Sequence, residues 1–256
     1  MVDLILNARI NGKSMGFYDC IKRRFAAMVS NYGFESEPIS VFPLKSSLGR
    51  VEGGRATGGQ NLQCYNGRGD IIEATFQGAG GQAFTDMPGR YSGCLHDVLS
   101  LNLSNSFERA VFVASMNAVM RHIGYVSNTI HCTGKEQEAC AEELCEFMQK
   151  CYGRPRIALI GFQPTMAAGL ARLFQLKIVD FDIENIGKEA FGVAILGPEK
   201  ADDAIRCSDL AFVTGSTVVD GTIERFIRGK SVIFYGVTIA SVAEMCGYAR
   251  FCPCSH

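Results

Sequence analysis

The strongest constraint on the fold is a rhythm in the second half of the chain. Short apolar runs recur as "RPRIALIGF" (154–162), "LKIVDFD" (176–182), "LAFVTGS" (210–216), "KSVIFYG" (230–236) and "YARFCPC" (248–254). Between them lie "PTMAAGLARLF" (164–174), a stretch containing "EKADDAIRCSD" (199–209), amphipathic "TVVDGTIERFIRG" (217–229) and "TIASVAEMCG" (238–247). Pro164 suits a first helical turn, where its missing N–H costs nothing. Continuous apolar strands alternating with helices predict a parallel sheet covered on both faces. Its crossovers are expected to be right-handed. The fold class is therefore α/β, a small doubly wound, Rossmann-like sheet.

The first half has a different character. "GFYDCIKRRFAAMVSNYG" (16–33) reads as a helix ending at Gly33. Residues 37–80 mix strand signals with glycine, "DIIEATFQG" (70–78) alternates in parts, and "GRATGG" (54–59) and "NGRG" (66–69) read as turns. "YSGCLHDVLSL" (91–101) and "SNSFERAVFVASMNAVMRHIG" (104–124) read as helices. "TGKEQEACAEELCEFMQKCYG" (133–153) opens with Thr133 and Glu136 in capping-box spacing. The expected division is an α+β domain over 1–132, a bridging helix over 133–153 and the Rossmann-like domain over 154–256.

Composition narrows the partners. The 25 Lys+Arg nearly balance 26 Asp+Glu, so bulk charge points to neither nucleic acid nor a lipid surface. No apolar run approaches the roughly 18–20 residues that span a bilayer. The start "MVDLILNARINGKSMG" lacks a signal-peptide pattern, and the expectation is a cytoplasmic protein. Eleven cysteines in irregular spacing read as free thiols in a reducing compartment, each by default a small buried hydrophobe. Two-domain proteins of this size are commonly dimers, and a homodimer is expected.

In an open α/β sheet, ligands bind outside the carboxyl ends of the strands. Those ends are "GFQP" (161–164), "TGSTVVDGT" (214–222) and "GVT" (236–238). Gly161 is followed by Phe162, Gln163 and Pro164 rather than by a dinucleotide fingerprint, and no Walker pattern is present. NAD and ATP are therefore disfavoured. Thr214, Gly215, Ser216 and Thr217 offer hydroxyls and backbone N–H groups to a carboxylate or phosphate, or form a plain helix cap. Gly236 and Thr238 stand at the next strand end. In "GQAFTDMPGR" (81–90), a polar loop of Gln82, Thr85 and Asp86 is either part of a site or an Asx-type turn. Asp86 and Asp220 are the general-base candidates.

The soft donors are His131 beside Cys132, and Cys252 with Cys254 in "FCPCSH". They are candidates for a divalent or soft transition-metal ion. There is no CxxC pair. Cys140, Cys145 and Cys151 point around their helix in different directions and read as packing residues. If the last strand runs through Cys254, Cys252 and Cys254 share a face.

"RIALIGFQP", "CSDLAFVTGSTVVDGTIERFI" and "SVIFYGVTIASVAEMCGYARFCP" resemble a heavy-metal chelation family of unknown function, over most of residues 154–253. "HCTGKEQEACAEEL" and "GQAFTDMPG" are similar to stretches of the same family. The resemblance implies a Rossmann-like second domain, a first domain like the N-terminal domain of enolase, and a site in the cleft between them. Two functions follow as expectations. One is binding of a metal or small ligand in that cleft. The other is an enzyme acting on a small anionic metabolite at the strand ends.

Overall fold

The computed structural model describes residues 9–10, 13–14, 16–44, 70–133, 135–227 and 231–256. The expected turns "GRATGG" and "NGRG" lie outside them. A short antiparallel pairing of Arg9–Ile10 with Lys13–Ser14 precedes the main elements.

The first sheet holds β1 (Pro38–Pro43), β2 (Asp70–Phe76), β3 (Ala79–Thr85) and β4 (Tyr91–Cys94) in the order β3-β2-β1-β4, antiparallel throughout. Gln77 and Gly78, both at positive φ, turn β2 into β3. That pair of conformations matches the twist of a tight hairpin. Helix α1 (Phe17–Tyr32) ends at a left-handed Gly33, as expected. "YSGCLHDVLSL" divides, contrary to the sequence reading. Its start is β4, and α2 (Leu95–Ser100) begins only where the Asp97 carboxylate accepts from the Cys94 N–H at 2.9 Å. The polar loop expected at 81–90 is likewise strand as far as Thr85.

Helix α3 (Ser106–His122) is capped by Asn105, whose side chain accepts from Glu108 N–H. Every residue from Ala110 to Met120 is buried. A helix apolar all round has to be covered all round. Here β2 and β3 lie against α3, and so do α7 (Thr217–Asp220) and α8 (Ala240–Cys246) from the second half. One hydrophobic core accordingly runs through both halves, from Phe25, Phe76 and Phe112 to Val213, Phe234 and Val242.

Helix α4 (Lys135–Tyr152) leads into the second sheet. Glu136 reaches back to the Thr133 N–H at 2.8 Å, half of the expected capping box. The strands are β5 (Arg156–Ile160), β6 (Gln175–Val179), β7 (Glu189–Ala190), β8 (Val193–Leu196), β9 (Leu210–Thr214), β10 (Val232–Tyr235) and β11 (Ala249–Phe251). Their order is β11-β10-β9-β5-β6-β8-β7, and all neighbours are parallel except β7 and β8. This is the mixed α/β architecture expected, with a mostly parallel sheet and a separate antiparallel one. From β5 the chain proceeds first to one side and then, at β9, to the other. The switch point between β5 and β9 is the ligand position of such sheets.

Three expectations change here. The hairpin β7–β8 was not read from the sequence. The segment 217–229 is not one helix. Gly221, at φ 81°, ends α7 after one turn, and only a 3-10 turn (Ile223–Arg225) follows. Strand β11 stops at Phe251, so Cys252 and Cys254 lie in the tail beyond it and strand alternation does not relate them. Helix α5 (Pro164–Leu173) starts as expected, with Pro164 in its first turn and the Gln163 side chain accepting from Met166 N–H, and α6 (Ala201–Arg206) precedes β9. Among the described residues, no helix is long and apolar enough to cross a membrane.

Candidate functional site

A pocket of about 640 Å³, its open mouth included, lies at the switch point. Its floor is the carboxyl end of the parallel sheet. Gly161 turns away from β5 at φ 90°, and its carbonyl accepts from the Tyr235 hydroxyl at 2.8 Å. A Cβ at that glycine would meet Thr214 at 2.7 Å and the Tyr235 hydroxyl at 2.8 Å, so the close approach needs glycine. Gly161 thus supports the floor. Gln163, Thr214, Gly215, Ser216, Gly236 and Thr238 line the pocket itself.

The opposite wall comes from Phe84 on β3 and from the segment entering α4. His131, Cys132, Gln137 and Cys140 face the pocket, and Cys252 closes it from the tail. His131 is held by its backbone N–H, which donates to Gln82 Oε1 at 2.8 Å, and its ring meets Phe84 edge to face. Burial holds the His131 imidazole below its ordinary pKa, which favours the neutral, metal-competent form.

The thiols form a cluster. Burial, with the nearby Cys252 and Cys254, pushes the Cys132 thiol up to about 11. Cys140 is raised further by burial, then by Cys252, Cys254 and Cys132. Cys254 packs against the core cluster that contains Cys140. Cys254 also points its thiol at Glu143 Oε1, 3.8 Å away. All these thiols are free. Raised in this way, Cys132, Cys140 and Cys254 stay protonated near neutrality, so a metal would have to displace their protons.

As placed, no three or more His, Cys, Asp or Glu side chains among the described residues are grouped closely enough to hold an ion. The donor chemistry nevertheless suits a soft ion: Cys132, Cys140, Cys252 and the imidazole of His131 line one pocket, backed by Phe84, Met166 and Tyr235.

The tail carrying Cys252 and Cys254 is fixed by a backbone clasp. Ile130 N–H donates to His256 O at 2.7 Å, and His256 N–H returns to Ile130 O at 2.9 Å. Arg250 ties Gly236 O to Asn128 O, at 2.9 and 2.6 Å. His256 itself faces Glu136, 2.8 Å away.

Other expected residues fall elsewhere. Gln82, buried in β3, spends its amide on His131 N–H and Glu73 and does not line the pocket. Thr85 is buried, its hydroxyl accepting from Met87 N–H. Thr217 is buried and donates to Thr214 O at 2.8 Å. The anion cradle proposed at 214–217 is largely spent on the fold. Gly215 N–H donates to Tyr235 O, and Val218 and Val219 N–H donate to Gly215 and Ser216 O. Neither Asp86 nor Asp220 lines the pocket. Desolvation by the surrounding atoms, and then Asp86, pushes Asp220 up to about 6, against the pull of Arg109. It remains solvent-exposed, so water screens that shift and no general-base role follows from it. Cys140, Gln137, Phe84, Met166 and Tyr235 were not read as site residues. Gln137 and Cys140 are three apart, on one face of a helix entered directly from His131 and Cys132, and that spacing was the available signal.

Residues 144–248 match a family described as "Putative heavy-metal chelation", DUF364. This covers most of the second-half stretches that carried the resemblance. A protein of unknown function from the DUF364 family of Pyrococcus horikoshii is similar in structure, with a TM-score of 0.50 and 15% identity, covering 85% of this chain and 78% of that one. A DUF364 protein of Desulfitobacterium hafniense aligns with a TM-score of 0.49 and 16% identity, over 70% of this chain and 73% of that one. At such identities the likeness concerns the fold. No curated protein matches the chain.

Proposed function

We propose that this chain binds a thiophilic metal ion in the switch-point pocket, through Cys132, Cys140 and Cys252, with Cys254 and His131 beside them. The observation that carries this reading is the convergence of thiols from three separate segments on one pocket: the entry to α4, its first turns, and the tail after β11. The description of the matched family points the same way. When bound, the ion would supply a compact positive charge to a pocket otherwise formed of neutral groups. The chain's own part is to release thiol protons, to present sulfur from segments held by the Ile130–His256 clasp, and to keep water off with Phe84, Met166 and Tyr235. A reducing, cytoplasmic setting belongs to this reading, because it keeps the thiols free.

The test is titration of fully reduced protein, purified without affinity metal, with cadmium while following sulfur-to-metal charge-transfer absorption. The expected result is saturable binding that weakens in Cys132→Ser and Cys252→Ser by more than the roughly 10- to 100-fold typical of outer-shell changes. Equal stoichiometry and affinity in the variants and the parent would show that the thiols only pack.

A further inference from the structure

We propose that a cavity at the amino edge of the parallel sheet binds the phosphate groups of a small organic phosphate. It lies at the other end of the strands from the thiol pocket, so the inference goes beyond the metal reading and does not rest on it.

The cavity has about 880 Å³, its open mouth included. That is within the roughly 300–1,000 Å³ of small-molecule sites. Arg156 is the first residue of β5, Gln175 is the first of β6, and Asp209 immediately precedes β9. Arg154 enters from the segment between α4 and β5, and Arg172 from the last turn of α5. Three arginines from separate stretches thus line one cavity with a single acid, in a chain whose positive and negative charges otherwise nearly balance.

That acid is engaged by one of the three. Asp209 Oδ2 accepts from the Arg156 backbone N–H at 2.9 Å and from Nε at 3.1 Å, and Oδ1 accepts from Nη2 at 2.7 Å. The fork pins the Arg156 guanidinium by one side and leaves its Nη1 end available. Among the described residues, neither the Arg154 nor the Arg172 guanidinium has an ion pair or hydrogen bond. The last turn of a helix favours a cation, which accounts for Arg172 but not for Arg154, which lies outside any helix.

A planar guanidinium matches two oxygens of a phosphate, and several round one cavity match a group with many charged oxygens. Leu173, 38% exposed, and Phe174 give the same cavity an apolar wall for an organic body. A nucleic-acid backbone is tracked by an extended basic stripe, whereas these arginines are gathered in a concavity.

The experiment titrates inorganic pyrophosphate and uridine diphosphate into the full chain by calorimetry at low salt. The protein is reduced and metal-free in EDTA, which keeps the thiol pocket and the metal reading out of the measurement. The expected result is saturable one-to-one binding of both probes, tighter for uridine diphosphate. Arg154→Gln combined with Arg172→Gln should weaken both at least about tenfold, the loss that charge-assisted hydrogen bonds carry. Arg23→Gln with Arg90→Gln removes the same charge from α1 and from the segment before β4, and should change affinity by less than about twofold. All four side chains are exposed, and urea unfolding midpoints check that both variants fold like the parent. No saturable binding, or equal affinity in the parent and the Arg154/Arg172 variant, overturns the inference. Equal weakening in the two double variants does so too, because bulk charge would then explain the binding. Uridine diphosphate that binds no tighter than pyrophosphate overturns the organic part of the assignment. A single-stranded RNA oligonucleotide that binds more tightly than uridine diphosphate, and is lost with Arg154 and Arg172, makes the partner a nucleic acid and overturns the small-molecule assignment.

Discussion

Asn117 lies in the middle of the most buried helix of the protein and joins its two halves. Its Nδ2 donates to Gln82 O at 2.9 Å, to Val237 O at 3.1 Å and to Thr238 O at 3.3 Å. Its Oδ1 accepts from Ser241 N–H at 2.9 Å. One side chain thus satisfies backbone groups of β3 and of the loop leading to α8, far from water. Asn117→Ala leaves those groups without partners, and we expect a loss of about 2–3 kcal/mol of stability, read from urea unfolding midpoints. A loss below about 0.5 kcal/mol, the range of ordinary surface changes, would mean that water replaces the amide. Nothing in "ASMNAVM" announces this role, since the groups it satisfies lie 35 to 124 residues away. Cys132 and Cys252 were legible as soft donors because of their neighbours, His131 and the strand end. Cys140 was not. Comparing it only with other helix cysteines hid the face it shares with Gln137.

Elements with strong internal periodicity were legible, and those defined by partners were not. Helices α1 and α3 and strands β5, β9 and β10 follow from apolar spacing and from Gly33 and Asn105 at their ends. β7 and β8 are too short to carry a pattern, and they exist because Phe191 and Gly192 make a tight turn beside β6. The same holds for β4, whose four residues pair with β1. The tail after β11 has no repeating structure at all, and its position rests on the Ile130–His256 clasp and on Asn128, which Arg250 holds in turn. Arg250→Met would leave the carbonyls of Gly236 and Asn128 without that donor. We expect a stability loss of about 1–3 kcal/mol and weaker cadmium binding than in the parent, though stronger than in Cys252→Ser. Unchanged cadmium affinity, measured beside the unfolding curve, would show that the tail is placed without Arg250.

At the scale of the molecule, the sequence reading of a sheet-and-helix first half and a doubly wound second half describes the architecture. Their degree of union was not legible. Helix α3 looked like a component of the first half, but α7 and α8 cover it from the second. A Cβ on Gly81 would lie 2.2 Å from Ala118 N and 2.5 Å from Ala114 O, so β3 and this helix touch backbone to backbone. With one core running through both halves, we expect a single cooperative transition in calorimetry, the van't Hoff and calorimetric enthalpies agreeing. Two separable transitions would show that the halves unfold independently.

The parallel sheet has one more consequence, which concerns many molecules rather than one. On one side it finishes in the two residues of β7 and on the other in the three of β11, the latter followed closely by Pro253. Neither margin offers a neighbouring copy a long row of open N–H and C=O groups on which to zip. The long apolar strands of this sheet therefore lie inside it, and its margins disfavour edge-to-edge growth from one copy to the next.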